Sequence, residues 1–76
     1  MYNPLLNTFI TVADCGSFTR AADRLFISST AVMKQMNALE EHLEMKLFNR
    51  TPTGIRLTSA GRIIYQDAKF IMDYSR

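Results

Sequence analysis

The chain has 76 residues, of which 47% are hydrophobic and 21% charged, and its formal net charge is +2 at neutral pH. This length allows one small domain, and the composition is that of a folded globular protein rather than a disordered one. Cys15 is the single cysteine, so no internal disulfide can form. The sequence contains no apolar run near the roughly 18 residues of a membrane span and no signal peptide, and it therefore predicts a cytoplasmic protein.

The first third of the sequence predicts two helices separated by a glycine. Pro4 is preset for a first helical position, and apolar residues then recur at helical spacing, which predicts a helix over about residues 4–14. Gly16 ends this helix, because glycine readily takes the left-handed backbone conformation that closes many helices. Ser17 then offers a cap for a short second helix over about residues 18–25.

A third helix is predicted over about residues 29–43, with Ser28 as its cap. Its inner stripe consists of apolar residues at steps of four, three and four: Val32, Met36, Leu39 and Leu43. Its opposite face carries short polar and basic side chains and one methionine: Ser29, Thr30, Met33, Lys34 and Asn37. Phe26 and Ile27, at the corner between the second and third helices, are too apolar for a free loop, so we expect them to pack into the core.

Two helices joined by a short corner, with a polar face left open on the second, are typical of a helix-turn-helix that reads DNA. The major groove, about 12 Å wide, accepts one helix. Ser29 and Thr30 are short enough to let the backbone approach the bases. Lys34 can reach a phosphate or a guanine edge, and Asn37 a phosphate or an adenine. For Met33, the plausible use is apolar contact with a thymine methyl group.

The remainder of the sequence predicts a small hairpin and a last helix. Pro52 and Gly54 mark a turn between two short strands, which would form a wing beside the third helix. Thr58 caps a helix over about residues 59–76, which has no stop signal and so predicts a longer protein. Its apolar residues occupy more than one face, and we expect dimerisation, rather than packing on its own domain, through these side chains: Ile63, Ile64, Phe70, Ile71 and Tyr74.

Five motifs in one register carry a family resemblance. They are F-x-x-V-A at 9–13, G-S-F-T-R-A-A at 16–22, L-E-E at 39–41, K-L-F-N-R at 46–50 and R-L-T-S-A-G at 56–61. Together they resemble the amino-terminal DNA-binding domain of LysR-type transcriptional regulators of bacteria.

The resemblance implies a mainly α-helical fold: a winged helix-turn-helix domain over residues 1–58, followed by a dimerisation or linker helix over residues 59–76. It also implies promoter DNA as the partner and assembly into dimers or tetramers. The family's larger effector-binding domain, which takes a small co-inducer, is absent from this chain, so no cofactor is expected here.

The resemblance also implies roles for individual residues. Thr19 and Arg20 match phosphate contacts at the start of the second helix. The positions that match the major-groove face are Ser28, Ser29, Thr30, Met33, Lys34 and Asn37. The positions of the wing that match a contact with the neighbouring minor groove or backbone include Arg50, Thr53 and Arg56. The chain departs from the family's frequent residues at Ser29, Thr30, Met33 and Thr53, which bears on sequence preference rather than on fold. Glu44 also replaces a frequent glycine after the third helix, so that helix could end differently.

Several alternatives stay open at this level. Arg50 could form a structural ion pair instead of touching DNA, and Lys34 and Arg20 could be solvated charges. A winged helix that binds protein instead of DNA is a second hypothesis, since Met33 and Thr53 could mark lost DNA contacts. An enzyme finds no support, because the sequence has no nucleophile with a base, no carboxylate pair, no phosphate loop and no metal-ligand spacing. His42 lacks a second ligand at such a spacing.

Overall fold

The computed structural model describes the backbone of residues 4–74 and the side chains of residues 4–71. The elements in chain order are α1 (Pro4–Cys15), α2 (Phe18–Leu25), α3 (Ser29–Leu43), β1 (Phe48–Thr51), β2 (Gly54–Leu57) and α4 (Ser59–Tyr74). The predicted mainly α-helical fold, with a two-stranded wing between the third and fourth helices, is confirmed. The last two residues of the predicted final helix lie outside the described residues.

Three hydroxyl side chains cap the helices as predicted. The Arg20 N–H donates to the Ser17 Oγ at 3.3 Å, and the Ala31 N–H donates to the Ser28 Oγ at 3.0 Å. At the start of α4, the Gly61 N–H donates to the Thr58 Oγ1 at 2.9 Å. Each hydroxyl satisfies an amide that has no partner inside its helix, so the three starts are fixed by local chemistry.

The apolar side chains at the corner between α2 and α3 are exposed, and the prediction that Phe26 and Ile27 pack into the core is wrong. The Phe26 side chain is 94% exposed and that of Ile27 is 37% exposed. Phe26 takes the left-handed conformation, with φ of 59°, and its N–H closes α2 on the carbonyls of Ala22 and Asp23. The corner is therefore set by backbone hydrogen bonds, and the left-handed residue turns its ring away from the helices.

Helix α3, like α2, is closed by a left-handed residue that is not glycine. Glu44 caps the helix in the left-handed conformation, with φ of 54°, and its N–H donates to the carbonyls of Glu40 and Glu41. A Schellman-type closure of this kind needs the backbone conformation rather than glycine itself, although a side chain makes it more costly. The departure from the family's frequent glycine thus leaves the end of the helix where the sequence predicts it.

The core lies where α1, α2 and α3 meet under the wing. Its largest fully buried side chains are Phe9, Met36, Leu39, Leu47, Val12 and Val32. The inner stripe of α3 is confirmed, with three residues buried and Leu43 packed at the edge of the core. One face of α3 is thereby held against the body, and its position relative to α2 is fixed.

The wing is an antiparallel hairpin fastened at its base to α3 and α4. The Glu40 carboxylate on α3 accepts hydrogen bonds from the N–H groups of Leu47 and Phe48 at 2.7 and 3.3 Å. The Thr58 Oγ1 donates to the Lys46 carbonyl at 2.6 Å, and the Thr58 N–H donates to the Leu47 carbonyl at 2.9 Å. The chain on both sides of the hairpin is therefore tied to the helices that flank it.

The tip of the wing rests on the corner between α1 and α2. The Ile55 N–H donates to the Gly16 carbonyl at 3.2 Å. A Cβ at Gly54 would lie 2.8 Å from the same carbonyl oxygen, closer than real side chains come. Gly54 therefore allows a close backbone approach that holds the far end of the hairpin against the helical body.

Helix α4 lies against the body through its small residues. Ala68 and Gly61 are buried, and the Tyr65 hydroxyl donates to the Asp14 carboxylate on α1 at 2.5 Å. Ile64 and Tyr65 are half-buried against the core, whereas Ile63 and Phe70 face outward and are 60% and 71% exposed. Beside them runs a shallow groove lined by Leu6, Leu43, Ile64, Asp67, Ala68 and Ile71.

Candidate DNA-binding surface

The outer face of α3 is an open ridge. Thr30, Lys34 and Asn37 are exposed, and Ser29 and Met33 are half-buried. By helical periodicity Thr30, Lys34 and Asn37 lie opposite the buried stripe, whereas Met33 and Ser29 lie toward its edge, which is why they are half-buried. We refer to these five residues as the α3 ridge.

The electrostatics at the start of α3 suit an anion. Its first turn contains no acidic residue, whereas Glu40, Glu41 and Glu44 lie at its far end. The free amides and the partial positive charge of a helix start attract phosphate groups. The Ser28 hydroxyl, predicted as a groove contact, is exposed but already accepts the Ala31 N–H, so its first role is that of a cap.

The first turn of α2 exposes the two residues predicted to contact phosphate. Thr19 and Arg20 are both exposed, and this turn also lacks acidic residues. Their neighbours Ala21 and Ala22 are buried, so the turn is anchored while its polar side chains stay open. The α2 start and the α3 ridge thus offer basic and hydroxyl groups on two consecutive helices.

The wing does not present its predicted contacts on one face. The register pairs Arg50 with Ile55 and Asn49 with Arg56, and paired residues share a face of a hairpin. Arg50 therefore lies on the face turned toward the helices, and Arg56 lies on the opposite face; both side chains are exposed. Thr53 is exposed at the turn, where its hydroxyl lies 3.4 Å from that of Thr51.

Arg50 is held by an aromatic ring rather than by an acid. The carbon of its guanidinium lies 5.3 Å from the centroid of the Phe18 ring. No ion pair of Arg50 with a carboxylate is formed within the described residues, so the structural ion pair considered from the sequence is not observed there. The importance of Phe18 was missed from the sequence, because nothing in the spacing of two residues 32 positions apart predicts their contact.

The predicted dimerisation residues form a second, apolar surface on α4. Ile63, Phe70 and Ile71 are exposed, and Ile64 is half-buried in the groove beside them. The Tyr74 side chain, also predicted here, lies outside the described residues. This surface, which we call the α4 face, is defined by Ile63, Ile64, Phe70 and Ile71.

The described residues offer neither a helix that could span a membrane nor a cluster of metal ligands. None of the helices within residues 4–74 is both long and apolar enough to cross a membrane. In the same part of the chain, no three His, Cys, Asp or Glu side chains come together as potential metal ligands. His42 is exposed in the last turn of α3, and Cys15 is a half-buried free thiol at the end of α1.

Comparison with known protein families identifies the family of this chain. The model of the family described as "Bacterial regulatory helix-turn-helix protein, lysR family" matches residues 4–62. The chain belongs to the LysR family. This is a family of transcriptional regulators rather than of enzymes, and the motif resemblance seen in the sequence is confirmed.

Curated LysR-family relatives are similar over most of the chain. An uncharacterised HTH-type transcriptional regulator from the ibpB-leuC intergenic region of Azotobacter vinelandii is 45% identical over 67 residues, or 88% of this chain and 46% of the relative. The HTH-type transcriptional regulator TfdT of Cupriavidus pinatubonensis is 40% identical over 88% of this chain and 29% of its own length. The chain thus spans less than half the length of these relatives.

Solved LysR-family structures share the whole fold. The CbnR_DBD–DNA complex is 39% identical and superposes with a TM-score of 0.90, covering 99% of this chain and 86% of that one. The complex of BenM_DBD with benA site 1 DNA is 32% identical, with a TM-score of 0.92 and coverage of 99% and 84%. The winged helix-turn-helix with its following helix is therefore the fold of this family member.

Proposed function

We propose that this LysR-family chain binds double-stranded DNA sequence-specifically, as the reader domain of a transcriptional regulator. The observation that carries the proposal is the α3 ridge, a polar face left open on a helix whose other face is buried. In the two similar structures described above, the matching domains are in complex with DNA. Helix α3 would enter the major groove, and the wing would reach the adjacent backbone or minor groove.

The chemistry of the α3 ridge fits the groove. The 15 residues of α3 span roughly 22 Å at about 1.5 Å per residue, and the first turns would lie deepest in the groove. Ser29 and Thr30 allow close backbone approach and form hydrogen bonds. Lys34 supplies a charge for a phosphate or a guanine edge, and Asn37 can bind an adenine. Met33 is placed to contact a thymine methyl group.

The α4 face supports a homodimer. Exposed isoleucine and phenylalanine side chains beside an apolar groove lose their contact with water when a second copy covers them. A two-fold dimer would present two copies of α3 to a partly palindromic site. In a longer regulator in the cytoplasm, a small co-inducer would bind outside the described residues.

The direct test is a selection of bound duplexes from a random pool, followed by titrations at several salt concentrations. Sequence-specific binding predicts enrichment of a partly palindromic site and affinity that falls steeply from low to moderate salt, because phosphate contacts release counterions. A pool that shows no enrichment, with affinity insensitive to salt, would contradict the proposal and favour a protein-binding winged helix.

Two lysines give a matched pair of variants for the α3 ridge. Lys34→Ala should weaken binding to the selected site by about 1–3 kcal/mol if Lys34 reads a base. If Lys34 binds only a phosphate, affinity should fall for all sequences and the salt slope should shrink by about one. Lys46, which is also exposed but follows the far end of α3, serves as the control, and Lys46→Ala should bind like the parent chain. Equal affinities of the two variants in a gel-shift titration would remove Lys34 from the interface.

A further inference from the structure

The contact between Phe18 and Arg50 joins the two parts of the candidate DNA-binding surface. Phe18 is the first residue of α2, and Arg50 lies in β1 of the wing. The guanidinium carbon lies 5.3 Å from the ring centroid, within the range at which a cation is attracted to an aromatic face. The side chain of Arg50 is thereby drawn to the first residue of α2, in the turn that also carries the exposed Thr19 and Arg20.

A cation–π contact positions the guanidinium without consuming its hydrogen-bonding groups. A carboxylate partner would offset the charge of Arg50 and accept some of its five N–H donors. The aromatic ring does neither, and within the described residues no ion pair replaces it. Arg50 therefore keeps its charge and its donors while its long side chain has a defined position, which lowers the entropy lost when it binds a phosphate.

The Phe18 ring is itself fixed from the core outward. It makes an edge contact with Phe48, with centroids 5.9 Å apart and planes at 76°. Phe48 in turn contacts the fully buried Phe9, with centroids 5.3 Å apart. Three rings thus lead from the core to the surface, and Arg50 lies over the last of them.

The backbone around this contact is also held. Phe48 and Arg50 are two positions apart in β1 and share the face turned toward the helices. The Ile55 N–H, on the strand paired with Arg50, donates to the Gly16 carbonyl only two residues before Phe18. The wing and the start of α2 are therefore joined by a main-chain hydrogen bond as well as by the aromatic stack.

We propose that Phe18 is a positioning residue that holds Arg50 beside the first turn of α2, where the guanidinium binds a DNA phosphate. The wing and the helix-turn-helix then contact the DNA backbone as one unit. This inference rests on the proposed DNA binding, and it adds a role for a residue that does not itself touch DNA.

The test is a double-mutant cycle read from the salt dependence of DNA binding, with folding of every variant checked by circular dichroism. Arg50→Ala should reduce the slope of log affinity against log salt by about 0.9 for each copy bound to DNA, and should weaken binding on the order of tenfold per copy near 0.1 M salt, for all sequences alike. Phe18→Leu should produce much of the same change, because Arg50 loses its support. In the Arg50→Ala background, Phe18→Leu should add little. With Arg50 present, Phe18→Tyr should keep the parent slope because it keeps the ring.

Each other outcome overturns the inference in a distinct way. An unchanged slope in Arg50→Ala would show that Arg50 binds no phosphate. A loss in Phe18→Leu that persists in the Arg50→Ala background would show that Phe18 acts through general packing. A parent slope in Phe18→Leu would show that Arg50 needs no ring. If the parent chain itself binds no duplex DNA, the proposed function fails, and this inference fails with it.

Discussion

Helices α3 and α4 have similar lengths, 15 and 16 residues, yet they expose opposite chemistry. Helix α3 buries Val32, Met36 and Leu39 and leaves a polar ridge outside. Among the hydrophobic residues of α4 whose side chains are described, only Ala68 is fully buried, while Ile63 and Phe70 are exposed. Helix α3 is anchored by large buried side chains, whereas the described part of α4 buries only small residues and adds the half-buried Ile64 and Tyr65.

The difference indicates which kind of binding partner each helix face favours. A polar ridge on an anchored helix gains little from an apolar partner but offers hydrogen bonds and charge to DNA. An apolar face in water gains free energy when another apolar surface covers it, at about 25 cal/mol per Å². Under the proposed function, the molecule separates a surface for nucleic acid from a surface for a second copy of itself.

The largest effect is expected on the α4 face. Phe70→Ser should weaken dimerisation by about 3–6 kcal/mol, because a symmetric dimer loses two buried rings at about 1.5–3 kcal/mol each. Sedimentation across a concentration series would measure the shift to monomer. Phe26→Ser is the matched control, since it removes another exposed phenylalanine, one outside the α4 face, and should leave dimerisation unchanged. Equal dimer affinities for both variants would contradict a dimer through α4.

The next effect concerns how α4 is anchored through small residues. A Cβ at Gly61 would overlap the Leu47 carbonyl oxygen, and this neighbour is backbone that cannot rotate away. Gly61→Ala should therefore lower the free energy of unfolding by about 3 kcal/mol, although alanine favours a helix more than glycine does. Urea denaturation would measure the loss. Gln66→Ala, at an exposed position of the same helix, should change stability by less than about 0.5 kcal/mol.

The smallest effect is expected at Phe26, an exposed apolar residue that belongs to neither surface. Its left-handed backbone is strained for any residue with a Cβ, and its ring is almost fully exposed. Phe26→Gly should raise the free energy of unfolding by about 0.5–1 kcal/mol, since relief of strain exceeds the added entropy of the unfolded chain. Phe26→Ala keeps the strain and should stay within about 0.5 kcal/mol of the parent in thermal unfolding. Marked destabilisation by both variants would show that the ring packs after all.

Much of the fold could be predicted from the sequence because its determinants are local. Ser17, Ser28 and Thr58 cap helices through hydrogen bonds to amides three residues ahead. The inner stripe of α3 follows from helical periodicity alone. The α3 ridge is the complement of that stripe, so its exposure could be predicted with it.

What the sequence could not predict depends on tertiary contacts or on backbone conformation. Hydrophobicity predicted Phe26 in the core, but Phe26 closes α2 in the left-handed conformation and its side chain is 94% exposed. The sequence predicts both Arg50 and Arg56 as basic residues of the wing. Only the strand register shows that they lie on opposite faces of the hairpin. The ring of Phe18 under Arg50 required the wing to be placed against α2, which no local pattern encodes.

The most direct test of the central claim is a backbone NMR titration of the ¹⁵N-labelled chain with its selected duplex. The amide signals of residues 28–37 should shift most, with further shifts at Thr19, Arg20 and the wing over residues 50–56. The signals of Ile63 and Phe70 on the α4 face should change little. Shifts concentrated on the α4 face, with the start of α3 unchanged, would contradict the assignment of the α3 ridge as the surface that reads DNA.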